Sequence, residues 1–123
     1  MKTRILYVDD EDDIREVAVF ALELDPQLEV RSARSGVEAL EVITFWRPDL
    51  ILLDVMMPGM DGPEMLARMR AGPEPADLPV VFITARTQAH EVERFLALGA
   101  AGVIAKPFDP MTLAATARGH LKG

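Results

Sequence analysis

Asp9, Asp10, Asp54, Thr84 and Lys106 are the polar residues whose types and spacing could do chemistry together. Each lies directly after a short apolar run: Ile5-Leu6-Tyr7-Val8 precedes Asp9-Asp10, and Leu50-Ile51-Leu52-Leu53 precedes Asp54. Val80-Val81-Phe82-Ile83 precedes Thr84, and Gly102-Val103-Ile104-Ala105 precedes Lys106. Carboxylates gathered in one place repel, by about 4 kcal/mol for two unit charges ~4 Å apart at an effective dielectric of 20. Lys106 offsets one charge, and a divalent cation is the natural complement to the rest. With oxygen ligands only, no Cys and no nearby His, the fitting ion is a hard one, Mg²⁺ or Mn²⁺. A carboxylate beside such an ion, an ammonium and a hydroxyl is the equipment for making an aspartyl phosphate. Asp54 would be the nucleophile, Lys106 would bind one phosphoryl oxygen as a point charge, and Thr84 would bind another by a hydrogen bond.

The elements that must position these residues follow from the alternation of short apolar runs with segments of helical period, which points to an α/β fold around a parallel sheet. The four runs above have no polar alternation, as expected of strands covered on both faces. Leu28-Glu29-Val30-Arg31-Ser32 does alternate and belongs at an edge, beside the first strand. Ile14, Val17, Ala18, Ala21 and Leu24 fall on one face of a first helix that Pro26 stops. Ser35 with Glu38 forms a capping box for a second, with Val37, Leu40 and Ile43 at helical spacing. Asp61-Gly62-Pro63-Glu64 opens a third that buries Met65, Leu66 and Met69. Thr87 caps a fourth using Val92, Phe95 and Leu96 and stopped by Gly99, and Asp109-Pro110 opens a fifth containing Leu113, Ala117 and Leu121. The result is (βα)₅, with Ala71 to Pro79 as a stiff, proline-bearing connection. In open parallel sheets ligands bind at the carboxyl ends of the strands, and a strand order of 2-1-3-4-5 makes the four contributing strands neighbours.

Composition bounds the function. The 123 residues are 50% apolar, enough for one core, and residues 1–123 read as a single domain. Thirteen Lys and Arg against 20 Asp and Glu leave a charge of −7, which argues against direct nucleic-acid binding. The absence of Cys excludes disulfides and thiolate chemistry and fits a reducing compartment. No apolar run approaches the ~20 residues that span a bilayer, so a cytoplasmic, membrane-free location is expected.

Four segments together carry a family resemblance: Ile5-Leu6-Tyr7-Val8-Asp9-Asp10-Glu11, Leu52 to Gly62 around Asp54-Val55-Met56-Met57-Pro58, Phe82-Ile83-Thr84-Ala85, and Ala105-Lys106-Pro107-Phe108. In this order at strand ends, they make the chain resemble the receiver domain of two-component response regulators over essentially its whole length. The resemblance implies a doubly wound, flavodoxin-like five-stranded sheet of order 2-1-3-4-5. It implies that Asp54 accepts a phosphoryl group from the phosphohistidine of a sensor histidine kinase or phosphotransfer protein. Asp10, Asp54 and the backbone carbonyl of Met56 would ligate Mg²⁺, with Asp9 acting largely through water, while Thr84, Ala85 and Lys106 would contact the phosphoryl group. The face of the fourth helix, fifth strand and fifth helix would then signal to an output protein or a fused C-terminal output domain. Lys106-Pro107 looks like the family's cis-peptide turn. Many relatives carry an aromatic three residues before the lysine, where this chain has Val103, a stiff side chain with no ring to reorient.

Other readings of these residues compete with that one. An aspartate-nucleophile phosphatase of the haloacid dehalogenase type would need a second acid at Met56; a flavodoxin-type cofactor site would need a small, uncharged loop where Asp9 to Asp13 stand. A receiver-like adaptor that no longer uses phosphorylation is the fourth reading. Glu11 is expected at the rim of the site, and Asp12 and Asp13 at a helix start. Trp46 is expected against the sheet, the methionines around the third strand in packing, and His90 and His120 exposed.

Overall fold

The computed structural model describes residues 2–72 and 77–121, so Pro73 and Pro75 of the expected stiff connection lie outside the described residues. Strands β1 (Thr3–Val8), β2 (Leu28–Ala33), β3 (Leu50–Asp54), β4 (Val80–Thr84) and β5 (Gly102–Ala105) form one parallel sheet. Its order is β2-β1-β3-β4-β5, with the alternating strand at the edge as its polarity requires. Helices α1 (Asp12–Glu23), α2 (Gly36–Val42), α3 (Gly62–Ala71), α4 (Ala89–Ala97) and α5 (Leu113–Leu121) alternate with them.

Successive strand residues point to opposite faces, which divides the core in two. Ile5, Tyr7, Leu50, Leu52, Val81 and Ile83 face α1 and α5 and pack against Ala18, Ala21, Leu22, Leu113 and Ala117. Leu6, Val8, Ile51, Leu53, Val80 and Phe82 face the other layer and pack against Ala39, Ile43, Met65, Leu66, Met69 and Phe95. The central strands β3 and β4 are buried at every position. Trp46 is buried in the second layer as expected, with the Arg4 and Arg31 guanidinium groups each 5.3 Å from its ring.

Of the caps expected for α2 to α5, two hold and two do not, and α1 follows Glu11, which makes no side-chain cap bond. Ser35 accepts from Glu38 N–H at 3.1 Å, and the Glu38 carboxylate accepts from Arg34 N–H at 3.0 Å, so the box closes one residue earlier than the usual reciprocal pair. Asp61 caps α3 by accepting from Glu64 N–H at 2.8 Å. Helix α4, by contrast, takes Gln88 rather than Thr87 as its N-cap and has no side-chain cap bond. Asp109 does not cap α5 directly. Its carboxylate accepts from Met111 N–H at 2.9 Å, forming a turn that delays the helix to Leu113.

The buried faces also differ from the periodicity in places. On α1 the sheet contact is made by Ala18, Ala21 and Leu22, whereas Val17 and Leu24 are 45% and 53% exposed. Two alanines let the helix lie close to the sheet, which turns the longer Val17 and Leu24 outward. Val37 of α2 and Leu96 of α4 are likewise exposed. His90 is exposed as expected, but His120 is half-buried, because Gly102 leaves room for its ring: a Cβ at residue 102 would stand 2.3 Å from the imidazole.

Candidate functional site

Parallel register brings the strand ends level. Val8 pairs with Leu53, Asp54 with Ile83, and Thr84 with Ala105, so Asp9 just after β1, Asp54 and Thr84 at the ends of β3 and β4, and Lys106 just after β5 face one crevice. Lys106 N–H donates to the Thr84 carbonyl at 2.9 Å, which sets the lysine beside the threonine at the top of the sheet.

The lysine organises the acids. Lys106 Nζ lies 3.2 Å from Asp9 Oδ2, 3.3 Å from Asp54 Oδ2 and 3.3 Å from Glu11 Oε1. Asp9 is fully buried and Asp54 is 3% exposed. One oxygen from each of Asp9, Glu11 and Asp54 falls within 4.8 Å of the others. Asp10 is half-exposed and is not one of this trio.

Asp9 is held from several sides. Its Oδ1 accepts from Glu11 N–H at 3.0 Å, and its Oδ2 accepts from the Tyr7 hydroxyl at 3.0 Å as well as from Lys106. The Arg15 guanidinium donates to the Asp9 carbonyl at 2.8 Å and pairs with Asp12, tying the first turn of α1 to the acidic loop. Asp54 is positioned by backbone. Gly62 N–H donates to the Val55 carbonyl at 3.0 Å, and a Cβ on Gly62 would stand 2.7 Å from the Asp54 carbonyl oxygen. Only a residue without a side chain lets α3 begin so close to the end of β3.

The charges leave their mark on proton affinity. Burial, then the Asp9 carboxylate, push Asp54 up to about 6, while Lys106 and the Met56 backbone N–H pull the other way. Burial alone would lower Lys106, but Asp54 and Asp9 outweigh it and hold the ammonium above its ordinary range. Burial and then Asp9 raise Tyr7 far above the usual phenol range, so it is a neutral donor.

Thr84 is buried at the strand end, and its Oγ1 accepts from Arg86 N–H at 3.0 Å. Ala85 and Met56 are exposed at the mouth of the crevice. The Lys106-Pro107 bond is cis. Val103 is half-buried against the layer containing Phe82 and Phe95. The structure thus gathers Asp9, Asp54, Thr84 and Lys106 as the sequence suggests, and Glu11 stands at the rim as expected, its side chain 58% exposed and its carboxylate on Lys106. Tyr7 and Arg15 were not legible as site residues, although a lone tyrosine within an apolar run has a hydroxyl that must find a partner.

Such a site is anionic, all-oxygen and open on one side, with one fixed ammonium. Three carboxylates against one lysine leave an excess of negative charge that suits a hard divalent cation and, through it, a phosphoryl group.

Fold and site together define a doubly wound α/β domain with an acidic pocket at its strand ends. The family model for the response regulator receiver domain matches residues 5–118, and the chain belongs to that family. It is 38% identical over 121 residues to the transcriptional regulatory protein CseB of Streptomyces avermitilis, covering 98% of this chain and 50% of that protein. It is 42% identical over 118 residues to the transcriptional regulatory protein YvrH of Bacillus subtilis, covering 96% of this chain and 48% of that protein. The chain therefore spans about half the length of these curated relatives. Among solved structures, the chemotaxis response regulator CheY4 of Vibrio cholerae superposes with a TM-score of 0.88 at 33% identity, over 98% of this chain and 99% of that one. The chain is a receiver domain of the two-component type, a signalling module, and its pocket of Asp9, Glu11 and Asp54 fits the phosphoacceptor site of that family. Among the described residues no helix is long and apolar enough to cross a membrane.

Proposed function

We propose that Asp54 is the phosphoacceptor of this receiver domain, taking its phosphoryl group from a phosphohistidine on a sensor histidine kinase or phosphotransfer protein. An Asp54 carboxylate oxygen bonds to phosphorus as the P–N bond to the donor imidazole breaks, and the released imidazole takes up a proton. The observation that carries this reading is the Lys106 ammonium held 3.3 Å from Asp54 Oδ2, where it can follow one phosphoryl oxygen during transfer. Thr84 would give up Arg86 N–H and turn its hydroxyl to a second oxygen, with the Ala85 backbone contacting the group beside it.

The donor set fits Mg²⁺, or Mn²⁺ in its place: Asp54, Asp10 and the Met56 carbonyl would ligate it, with Asp9 reached through water. When bound, the ion supplies neutralisation of charge on the transferring group. Asp9 already accepts three hydrogen bonds from the protein, which suits an orienting role better than direct ligation. Glu11 shares Lys106 with the two aspartates and limits how far the ammonium can swing. The same residues would position water for hydrolysis of the acyl phosphate, so the module would catalyse both its phosphorylation and its dephosphorylation.

The signal would leave through α4, β5 and α5, reaching a separate output protein or an output domain fused C-terminally, in a cytoplasmic protein whose residues 1–123 form one domain. With Val103 in place of a ring, the change at Thr84 would be transmitted by backbone and packing near Phe82 and Phe95. Beryllofluoride, a phosphoryl analogue, tests this reading. Its bound fluorine resonance is expected only with Mg²⁺ present and Asp54 intact; an undiminished signal in Asp54→Asn would overturn it.

A further inference from the structure

Tyr7 is fully buried, and its ring belongs to the apolar layer between the sheet and helices α1 and α5. Phe108 meets it edge to face, with centroids 6.4 Å apart and planes at 73°. A phenol in such a layer must satisfy its hydroxyl, and it does so by donating to Asp9 Oδ2 at 3.0 Å. Tyr7 and Asp9 are two residues apart, so strand geometry sends both side chains to the same face, and the length of the tyrosine carries its hydroxyl up to the carboxylate.

This contact completes a chain of orientation. The hydroxyl and Glu11 N–H hold opposite oxygens of Asp9, which leaves the carboxylate no free rotation and presents Oδ2 to Lys106 at 3.2 Å. Lys106 in turn lies 3.3 Å from Asp54. Phenylalanine at residue 7 would fill the layer and keep the contact with Phe108 but could not reach Asp9 with a donor.

We propose that Tyr7 is a positioning residue for the metal and phosphoryl site, acting through Asp9 to set where Lys106 and the cation stand. The inference rests on the phosphoacceptor reading of the site. Groups hydrogen-bonded to a metal's ligands commonly change its affinity by ten- to a hundredfold when removed, and Tyr7, acting on an acid that itself reaches the ion through water, belongs at the bottom of that range. Tyr7→Phe keeps the ring and its packing and removes only the donor.

The test is Mg²⁺ titration by calorimetry on the wild type, Tyr7→Phe, Asp9→Asn and the double variant, with Asp54→Asn as the site control. Binding about tenfold weaker is expected in Tyr7→Phe, and the double variant should bind no more weakly than Asp9→Asn, because the hydroxyl acts through that carboxylate. Tyr7→Phe binding within twofold of the wild type, or additive losses in the double variant, would overturn the inference. A second readout needs no mutation. The chain has one tyrosine, so Mg²⁺ should shift its near-ultraviolet difference spectrum with the same midpoint as the heat, and a silent tyrosine in a protein that binds Mg²⁺ would equally overturn it. If the wild type bound no Mg²⁺ and Asp54→Asn changed nothing, the phosphoacceptor reading itself would fail.

Discussion

Lys106 Nζ and Asp54 Oδ2 stand 3.3 Å apart at the ends of two strands that are not neighbours in the sheet, β5 and β3, with β4 between them. The lysine reaches across the crevice because Asp9 and Glu11 draw it from the far side. It is therefore shared among three acids, and three expectations follow from that sharing, with a fourth from the close approach of Gly62 to the Asp54 backbone.

Asp54 is ionised at neutral pH against the resistance of burial and of Asp9, so removing its charge should strengthen the metal-free fold. Asp54→Asn is expected to raise stability by about 1–3 kcal/mol at pH 7 in the absence of divalent ions. Urea unfolding in chelator measures it; a loss of stability would mean that the pairing with Lys106 outweighs the burial.

The pH dependence follows with a definite sign. The folded-state value of about 6 lies above the ordinary 3.8, so between these values the folded chain holds a proton on Asp54 that the unfolded chain has released. The stabilising effect of that proton is fully present below about 4 and is lost as pH rises through about 6. The stability difference between Asp54→Asn and the wild type should therefore shrink on going from pH 7 to pH 4. Mg²⁺ affinity should fall over the same window, since the cation competes with the proton.

Lys106→Met removes the cation that pulls Asp54 down. The Asp54 midpoint should move above 6, which carbon-13 titration of the side-chain carboxyl would follow, and an unmoved midpoint would show that the ammonium has little hold on Asp54. Stability at pH 7 should fall, because buried carboxylates lose their partner.

Gly62→Ala places a Cβ against the Asp54 carbonyl, where backbone cannot yield cheaply. Destabilisation of about 1–3 kcal/mol is expected, together with weaker Mg²⁺ binding. Gly119→Ala is the control: nothing stands within 4 Å of its Cβ, and alanine favours α5 by up to about 1 kcal/mol. Thermal melts of the pair separate a specific clash from a general intolerance of glycine substitution.

Much of this was legible in the chain because strand ends are marked by an abrupt change from apolar to polar. Asp9, Asp54, Thr84 and Lys106 each sit at such a boundary, and the short unalternating runs before them are what strands covered on both faces require. The polarity of Leu28 to Ser32 likewise placed β2 at the edge. The rest depended on distances that periodicity does not carry. Val17 and Leu24 share a helical face with Ala18 on a wheel, but small alanines decide which side of α1 approaches the sheet. Glu11 stands at the rim as expected, but its contact with Lys106 depends on the reach of that side chain, and the partial burial of His120 depends on the space that Gly102 leaves for a ring. Thr87 was a good cap by type, yet the chain enters α4 one residue later at Gln88.

The central claim is that Asp54 takes a phosphoryl group in a reaction that needs a divalent cation at this pocket. Intact-protein mass spectrometry after incubation with acetyl phosphate measures it most directly. The account predicts the gain of one phosphoryl group in the wild type with Mg²⁺, its removal by hydroxylamine, and no gain in Asp54→Asn or in chelator. Undiminished labelling of Asp54→Asn, or labelling indifferent to Mg²⁺, would contradict it.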